Sequence, residues 1–406
     1  MENLADFEGE VVPVNPKRET VLGRPAAHAV DAVEGEIDLA VVVVPPDIAV
    51  EATRDLGERG VRNVVVITAG FGEAGSEGAA RERELVEIAE TYDMNLVGPN
   101  SLGVLSTPNR LNATFGPANA QPGGLSFMSQ SGAFITAVID WANDHGIGFK
   151  DVVSLGNKAV LDETDFVDIW DQDPDTDVIL GYLEGIDDGR AFIDTARAVT
   201  DETPMVMVKS GRTEAGAQAA SSHTGTIAGS ERAYEAGLDQ AGVLRAENVQ
   251  ELFDYAQILA GQEVPDGDGI AVISNAGGPG VMATDAIGES GFEMASFTDA
   301  TLEALSESMP EEANIYNPVD VLGDTDNERF ATAIDHVLAD ENVDAAVVIA
   351  TPIAVLDYEP LAEDISRLQA EHGVPVATAL MGGERIERPG TILQDQGIPN
   401  YFDPAR

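Results

Sequence analysis

Short apolar runs rich in β-branched residues recur along the chain, and stretches with helical spacing separate them. The runs predict strands at Val11–Val14, Leu39–Val44, Asn63–Thr68, Asn95–Gly98, Leu125–Met128, Asp151–Ser154, Val178–Tyr182, Pro204–Lys209, Ile270–Ser274, Ala345–Ile349 and Val374–Thr378. Continuous rather than alternating hydrophobicity is the mark of strands buried on both faces of a parallel sheet. Helices are predicted between them, among others at Asp47–Arg59, Gly75–Tyr92, Ala133–Asp144, Ala246–Ala260 and Thr301–Glu307. Alternation of this kind over the whole length predicts an α/β protein built on doubly wound sheets. Two polar, Gly- and Pro-rich breaks, PANAQPGG (117–124) and GQEVPDGDG (261–269), divide it into expected domains 1–118, 119–262 and 263–406. The second and third open alike, LSFMSQSGAF and IAVISNAGGPGV, each a strand, a small polar turn and a helix.

The start breaks the pattern. ENLADF reads as the end of a helix, whereas a Rossmann-type domain opens on a strand and a glycine-rich turn. The expectation is therefore a first domain incomplete at its start, from truncation or from a true start further upstream.

Composition narrows the function. With 72 acidic against 22 basic residues the formal charge is −50, which repels nucleic acid. The acids are dispersed through a chain that is 44% hydrophobic, so the reading is a folded surface adapted to high salt rather than a disordered tail. No apolar run approaches the ~18 residues of a membrane span, and MENLADFEGE lacks the apolar stretch of a signal peptide, so a cytoplasmic protein is expected. The absence of cysteine removes disulfides, thiolate metal sites and a cysteine nucleophile. Only four lysines survive the acidic bias: Lys17, Lys150, Lys158 and Lys209. Three of them stand in glycine- or proline-marked strings, PVNPK, SLGNK and VKSGR.

Open α/β sheets bind ligands beyond the carboxyl ends of their strands. In the second domain those ends read SQSGA (129–133), SLGNKA (154–159), LEGI (183–186) and SGRT (210–213), with SSHTGT (221–226) soon after. SQSGA is either an anion-binding helix start or an ordinary strand–helix turn with serine caps. His223 is either a solvated loop residue or a nucleophile that carries a phosphoryl group. The second role needs a carboxylate to orient the imidazole, which Glu184 could supply. It also needs dipoles for the phosphate charge, which Ser131 and Gly132 could supply.

With these residues in view, the chain resembles the α part of ADP-forming acyl-CoA synthetases and, more distantly, the α subunit of succinyl-CoA synthetase. The resemblance runs through EGEVVPVNPK, LAVVVVPP, VVVITAGFGE, NLVGPNSLGV, LNATF, SFMSQSGA, GIGFKDVVSLGNKA, YLEGI, VKSGRTEAGAQAASSHTGTIAGS, ISNAGGPGV and NPVDVLG, in order and over essentially the whole length. It implies a CoA-binding Rossmann-like domain followed by two flavodoxin-like domains. The implied reaction joins acyl-CoA, ADP and phosphate to give carboxylic acid, ATP and CoA by way of acyl phosphate and a phosphohistidine. On this resemblance His223 is the phosphorylated residue and Glu184 holds it. Ser131, Gly132, Gly156 and Asn157 bind the phosphate. CoA falls to Lys17, Pro45, Thr68, Ala69, Gly70, Gly98 and Asn100. ADP and magnesium belong to an ATP-grasp partner, a β subunit or a fused β domain, so a hetero-oligomer is implied. Ser101 stands where relatives often have cysteine. The glycine loop that holds part of CoA in the family is not present, and neither is an ATP-grasp sequence. The alternative is a non-catalytic or regulatory CoA-binding module.

Overall fold

The computed structural model describes residues 1–213, 215–216, 231–265 and 267–406. The chain divides into two compact units, Met1–Leu252 and Phe253–Arg406.

The first unit contains two principal sheets. Strands β1 (Ala40–Val42), β2 (Asn63–Val66) and β3 (Asn95–Val97) pair in parallel in that order. Helix α1 (Pro46–Glu58) crosses from β1 to β2, and α2 (Ser76–Tyr92) from β2 to β3. Proline at the first turn of α1 costs nothing there, because that N–H has no intrahelical acceptor.

The second sheet takes β4 (Gly103–Ser106), β5 (Leu111–Thr114), β6 (Pro122–Ser129), β7 (Phe149–Ser154), β8 (Val178–Leu183), β9 (Met205–Lys209) and β10 (Leu244–Ala246). Their order is β10-β9-β8-β6-β7-β4-β5; the first five are parallel, and β4 and β5 add antiparallel. Helices α3 (Gly132–Asp144), α4 (Glu163–Asp171), α5 (Gly189–Val199) and α6 (Glu231–Gln240) belong to this sheet. The two sheets share one core, in which Val65 and Val97 of the first pack with Met128, Val153 and Leu155 of the second. That shared core is why residues 1–252 form one unit.

Helix α7 (Val249–Gly261) leads into the second unit. There β11 (Gly269–Ser274), β12 (Glu293–Met294), β13 (Val319–Asp320), β14 (Ala345–Ala350) and β15 (Val376–Leu380) make a parallel sheet in which β12, β13 and β14 all pair with β11, and β15 pairs with β14. Its core holds Ile273, Phe330, Val348, Leu361, Ile365 and Leu380.

The α/β class and the long strands agree with the sequence. Val11–Val14 is not a strand: its one ladder contact is an isolated bridge from Val14 to Ala27. Pro13 interrupts VVPV and removes a ladder donor, and Val12 and Val14 are exposed rather than buried. The break at 117–124 is also shorter than expected, because β6 begins at Pro122. The hairpin β4–β5 was not anticipated; its strands are short and half polar, and pairing with β7 sustains them.

The expected likeness between the two openings is present in atomic detail. Ser129 Oγ accepts from Ser131 N at 3.0 Å and donates to Ser131 O at 3.0 Å. Ser274 Oγ does the same with Ala276 N at 3.1 Å and Ala276 O at 2.9 Å. The next residue reaches the end of the neighbouring strand in both. Gln130 Oε1 accepts from Glu184 N at 2.5 Å, and Asn275 Oδ1 accepts from Thr351 N at 2.8 Å. One turn design thus starts α3 and also α8 (Gly277–Glu289).

Candidate active site

Strand register brings the sequence-marked ends together. In the parallel ladder Ser129 of β6 lies opposite Ser154 of β7 on one side and Tyr182 of β8 on the other; Leu183 in turn lies opposite Lys209 of β9. The residues immediately beyond, SGA, GNK, EGI and SGR, therefore leave one edge of the sheet side by side. At the centre of this edge α3 begins. The first N–H groups of a helix have no acceptor within the helix. Here they belong to Gly132 and Ala133, while Ser131 Oγ caps Phe134 N at 3.4 Å. Glycine and small residues at that start let an anion approach the positive end of the helix dipole.

Glu184 is half-buried just beyond β8. Its backbone is clamped rather than free. Gln130 Oε1 accepts from Glu184 N and, at 2.9 Å, from Gly185 N. Tyr234 Oη of α6 accepts from Ile186 N at 3.3 Å. Lys209, 6% exposed at the end of β9, holds its ammonium 4.4 Å over the Tyr234 ring and donates to Ser210 O. Burial pushes this lysine below its ordinary range; Glu231 and Glu184 pull it back up, and Arg245 adds to the depression. His223 lies outside the described residues.

Beyond the end of β7, on the far side of β6, Lys158 is buried and carries a left-handed backbone, φ 57°. Its Nζ lies 2.9 Å from Glu163 Oε2, 3.4 Å from Asp187 Oδ2 and 3.0 Å from Gly185 O. The Lys158 and Glu163 side chains are 2% and 1% exposed. Burial pushes the Glu163 carboxyl up, and the Lys158 charge opposes this. Among the lysines the sequence singled out, Lys158 and Lys209 thus stand at this edge. Lys150, not singled out, is buried by pairing with Asp151 and Asp173 away from it.

The three strand ends of the smaller sheet form a second cluster. Thr68 Oγ1 donates to Val44 O at 2.6 Å, and Asn100 N donates to Thr68 O at 3.0 Å, so the turns at 44–46, 68–70 and 98–100 converge. Gly70 has φ 105°, and a Cβ there would lie 2.7 Å from Pro46 Cγ. A side chain there would be strained by that φ and would crowd Pro46, so the turn calls for glycine. Lys17 is exposed, on a turn whose N–H groups at Lys17 and Arg18 donate to Asn15 Oδ1 at 2.9 and 3.1 Å. The carboxylate of Glu73 accepts from Gly70 N at 2.5 Å and Phe71 N at 3.2 Å. These bonds, with one from Asn157, hold Glu73 below the ordinary carboxylate range against the opposing effect of burial. The Glu73 carboxylate thus takes the Gly70 and Phe71 amides of this cluster for itself.

Gly156 and Asn157 join the two clusters. Gly156, φ 60°, passes so near the Pro99 carbonyl that a Cβ would sit 2.2 Å from it. Asn157 N donates to Pro99 O at 2.9 Å. Asn157 Nδ2 donates to Glu73 Oε2 at 2.6 Å and Glu82 Oε2 at 2.7 Å, and its Oδ1 accepts from Asn100 at 3.2 Å. The Asn157 side chain thus faces the cluster at 68–100, a direction its sequence position did not reveal. Gln130, Tyr234 and Glu73 went unnoticed in the sequence because their contacts are to residues 54, 48 and 84 positions away.

Known proteins resemble this chain in sequence and fold. Residues 1–107 match the model of a CoA binding domain, and residues 122–259 that of the succinyl-CoA ligase like flavodoxin domain. The whole chain is 46% identical to an ADP-forming acetate–CoA ligase I of Archaeoglobus fulgidus, of which it spans 58%. It is 40% identical to the α subunit of an ADP-forming acetate–CoA ligase I of Pyrococcus furiosus, and covers 89% of that subunit. The chain belongs to the α-subunit family of ADP-forming acetate–CoA ligases. A solved family member, the dinucleotide forming acetyl-coenzyme A synthetase 1 of Ca. Korarchaeum cryptofilum in complex with phosphate and ADP, superposes with a TM-score of 0.95 at 37% identity. The match takes in all of this chain and 88% of that one. Among the described residues no helix is long and apolar enough to cross a membrane.

Proposed function

We propose that this chain is the phosphoryl-carrying α component of an ADP-forming acyl-CoA synthetase, with acetyl-CoA the first substrate to try. The observation that carries the reading is the register that aligns the ends of β9, β8, β6 and β7, with Glu184 and the start of α3 adjacent. Phosphate attacks the thioester carbonyl, giving acyl phosphate and CoA. An imidazole nitrogen of His223 then takes the phosphoryl group and releases the carboxylate, and ADP finally accepts it as ATP. In this scheme Glu184 orients the imidazole and stabilises its charged form. Ser131 and the amides of Gly132 meet the phosphate oxygens, with Gly156 and Asn157 at the margin towards CoA.

CoA is assigned to Lys17, Pro45, Thr68, Ala69, Gly70, Gly98 and Asn100. Support comes from the convergence of the turns at 44–46, 68–70 and 98–100, the glycine backbone at Gly70 and the match of residues 1–107 to a CoA-binding domain. The domains are 1–118, 119–262 and 263–406; the family matches at 1–107 and 122–259 support the first two, which share one compact unit, and the unit Phe253–Arg406 supports the third. ADP and magnesium belong to an ATP-grasp half. Coverage of 58% of one relative against 89% of a relative named as a subunit supports such a half, fused or separate. CoA, ADP and phosphate are pools of the cell interior, so the reading is of a cytoplasmic enzyme. Its test is incubation of the assembled enzyme with labelled phosphate and acetyl-CoA. Acid-labile label on this chain is the expected result; none would sink the proposal.

A salt-adapted surface is part of the same reading, supported by the dispersed charge of −50. Self-repulsion at this density is relieved by screening. The urea midpoint is expected to rise steeply from dilute buffer to molar KCl, and equal midpoints would refute the adaptation.

A further inference from the structure

We propose that Lys158, paired with Glu163, and Gln130 are positioning residues for the Glu184 carboxylate. The inference rests on the proposed role of Glu184. It starts from the backbone of Glu184–Gly185–Ile186, which is held by side chains from three directions. Gln130, at the start of α3, accepts from the N–H of Glu184 and of Gly185, at 2.5 and 2.9 Å. Lys158, from the turn after β7, donates to the carbonyl of Gly185 at 3.0 Å. Tyr234 of α6 accepts from the N–H of Ile186 at 3.3 Å. Three amides and the Gly185 carbonyl therefore have side-chain partners, drawn from the turns after β6 and β7 and from α6, and the Cα of Glu184 cannot shift without straining the two bonds to Gln130 on either side of it.

Fold stability alone does not account for this arrangement. A buried Lys–Glu pair is often no more stable than apolar residues of the same volume, because desolvation cancels the attraction. Lys158 also occupies a left-handed conformation that a long side chain rarely adopts. It is one of only four lysines in the chain. What the pair supplies that apolar residues could not is a rigid donor aimed at one carbonyl. Glu163 neutralises and anchors that donor through two oxygens, at 2.9 and 3.3 Å. Gln130 adds a second link: it lies between Ser129 and Ser131, so the turn that starts the anion-binding helix also sets the height of the carboxylate. Phosphate site and orienting group are thereby built as one piece.

A displacement near 1 Å in such a constellation costs about 10²-fold in rate. In the assembled enzyme the volume-conserving double variant Lys158→Met/Glu163→Leu is expected to fold. The rate of phosphoenzyme formation and kcat should fall on the order of 10²-fold. KM for acetyl-CoA should stay within about 3-fold, because the variant leaves the CoA turns untouched. Gln130→Met, which removes the acceptor at the half-buried end, is the second variant should the first not fold. It should show the same split, with a fall of about 10-fold or more. A folded variant that labels at the wild-type rate, or one whose loss lies wholly in KM, overturns the proposal. Wild-type enzyme and His223→Ala are run beside them. If wild-type enzyme takes no label, the reading of Glu184 fails. If wild type labels at His223 and both clamp variants label equally fast, the positioning role alone fails.

Discussion

Replacing His223 by alanine in the assembled enzyme is expected to abolish both the acid-labile phosphoenzyme and net ATP formation from acetyl-CoA. No other group in the proposed scheme can carry the phosphoryl between acyl phosphate and ADP. Glu184→Gln should retain the fold and lower kcat by about 10²–10⁴-fold. An amide of the same size keeps the contacts of the side chain but cannot stabilise a charged imidazole, and loss of an orienting carboxylate has costs in this range. Both variants should bind CoA normally, since its proposed turns leave the other sheet. Rapid-quench labelling and steady-state rates measure each step. Undiminished labelling in His223→Ala would falsify the phosphohistidine scheme.

The second large effect is on stability. Lys158→Met, with Glu163 left in place, is expected to destabilise the first unit by about 3–5 kcal/mol, because it strands a buried carboxylate without its cation. The Glu163 side chain is 1% exposed, so water cannot replace the lost partner. The pH dependence follows from the direction of the shift. Burial already pushes the Glu163 carboxyl above its ordinary value of 4.5, and losing Lys158 removes the opposing pull. A carboxyl raised on folding binds its proton more tightly in the folded state. Its neutral form is therefore favoured below the unfolded pKa, and stability is lost as pH rises through the folded one. The deficit of Lys158→Met should thus be largest near neutral pH and shrink towards pH 4.5. Urea unfolding at both pH values, in high salt, measures it. A deficit that grows on acidification would show that Glu163 is not the stranded group. The double apolar variant should recover most of the loss.

Much of this was legible in the sequence. Continuous β-branched runs and the helices between them specify parallel α/β sheets, because that pattern has few other stable burials. The ordered motifs identified the family, and dispersed acid with almost no lysine set the character of the surface. Where short-range reasoning failed, the cause was local chemistry or distance. Pro13 broke the first expected strand, and the hairpin β4–β5 exists only because β7 pairs with it.

The direction in which each site residue faces depended on the tertiary structure. The family resemblance assigned Asn157 to the phosphate, but Glu73 and Glu82, 84 and 75 residues away, turn its amide towards the turns at 68–70 and 98–100. Lysine scarcity marked Lys158 as notable, yet only the sheet order, with β6 between β7 and β8, brings its ammonium across to the Gly185 carbonyl. The chain by itself thus determined its fold, its family and the small-residue strand ends proposed as the site, since these follow from local periodicity and short motifs. How those ends are clamped into one geometry follows from parallel register and burial, which join residues that no local pattern relates.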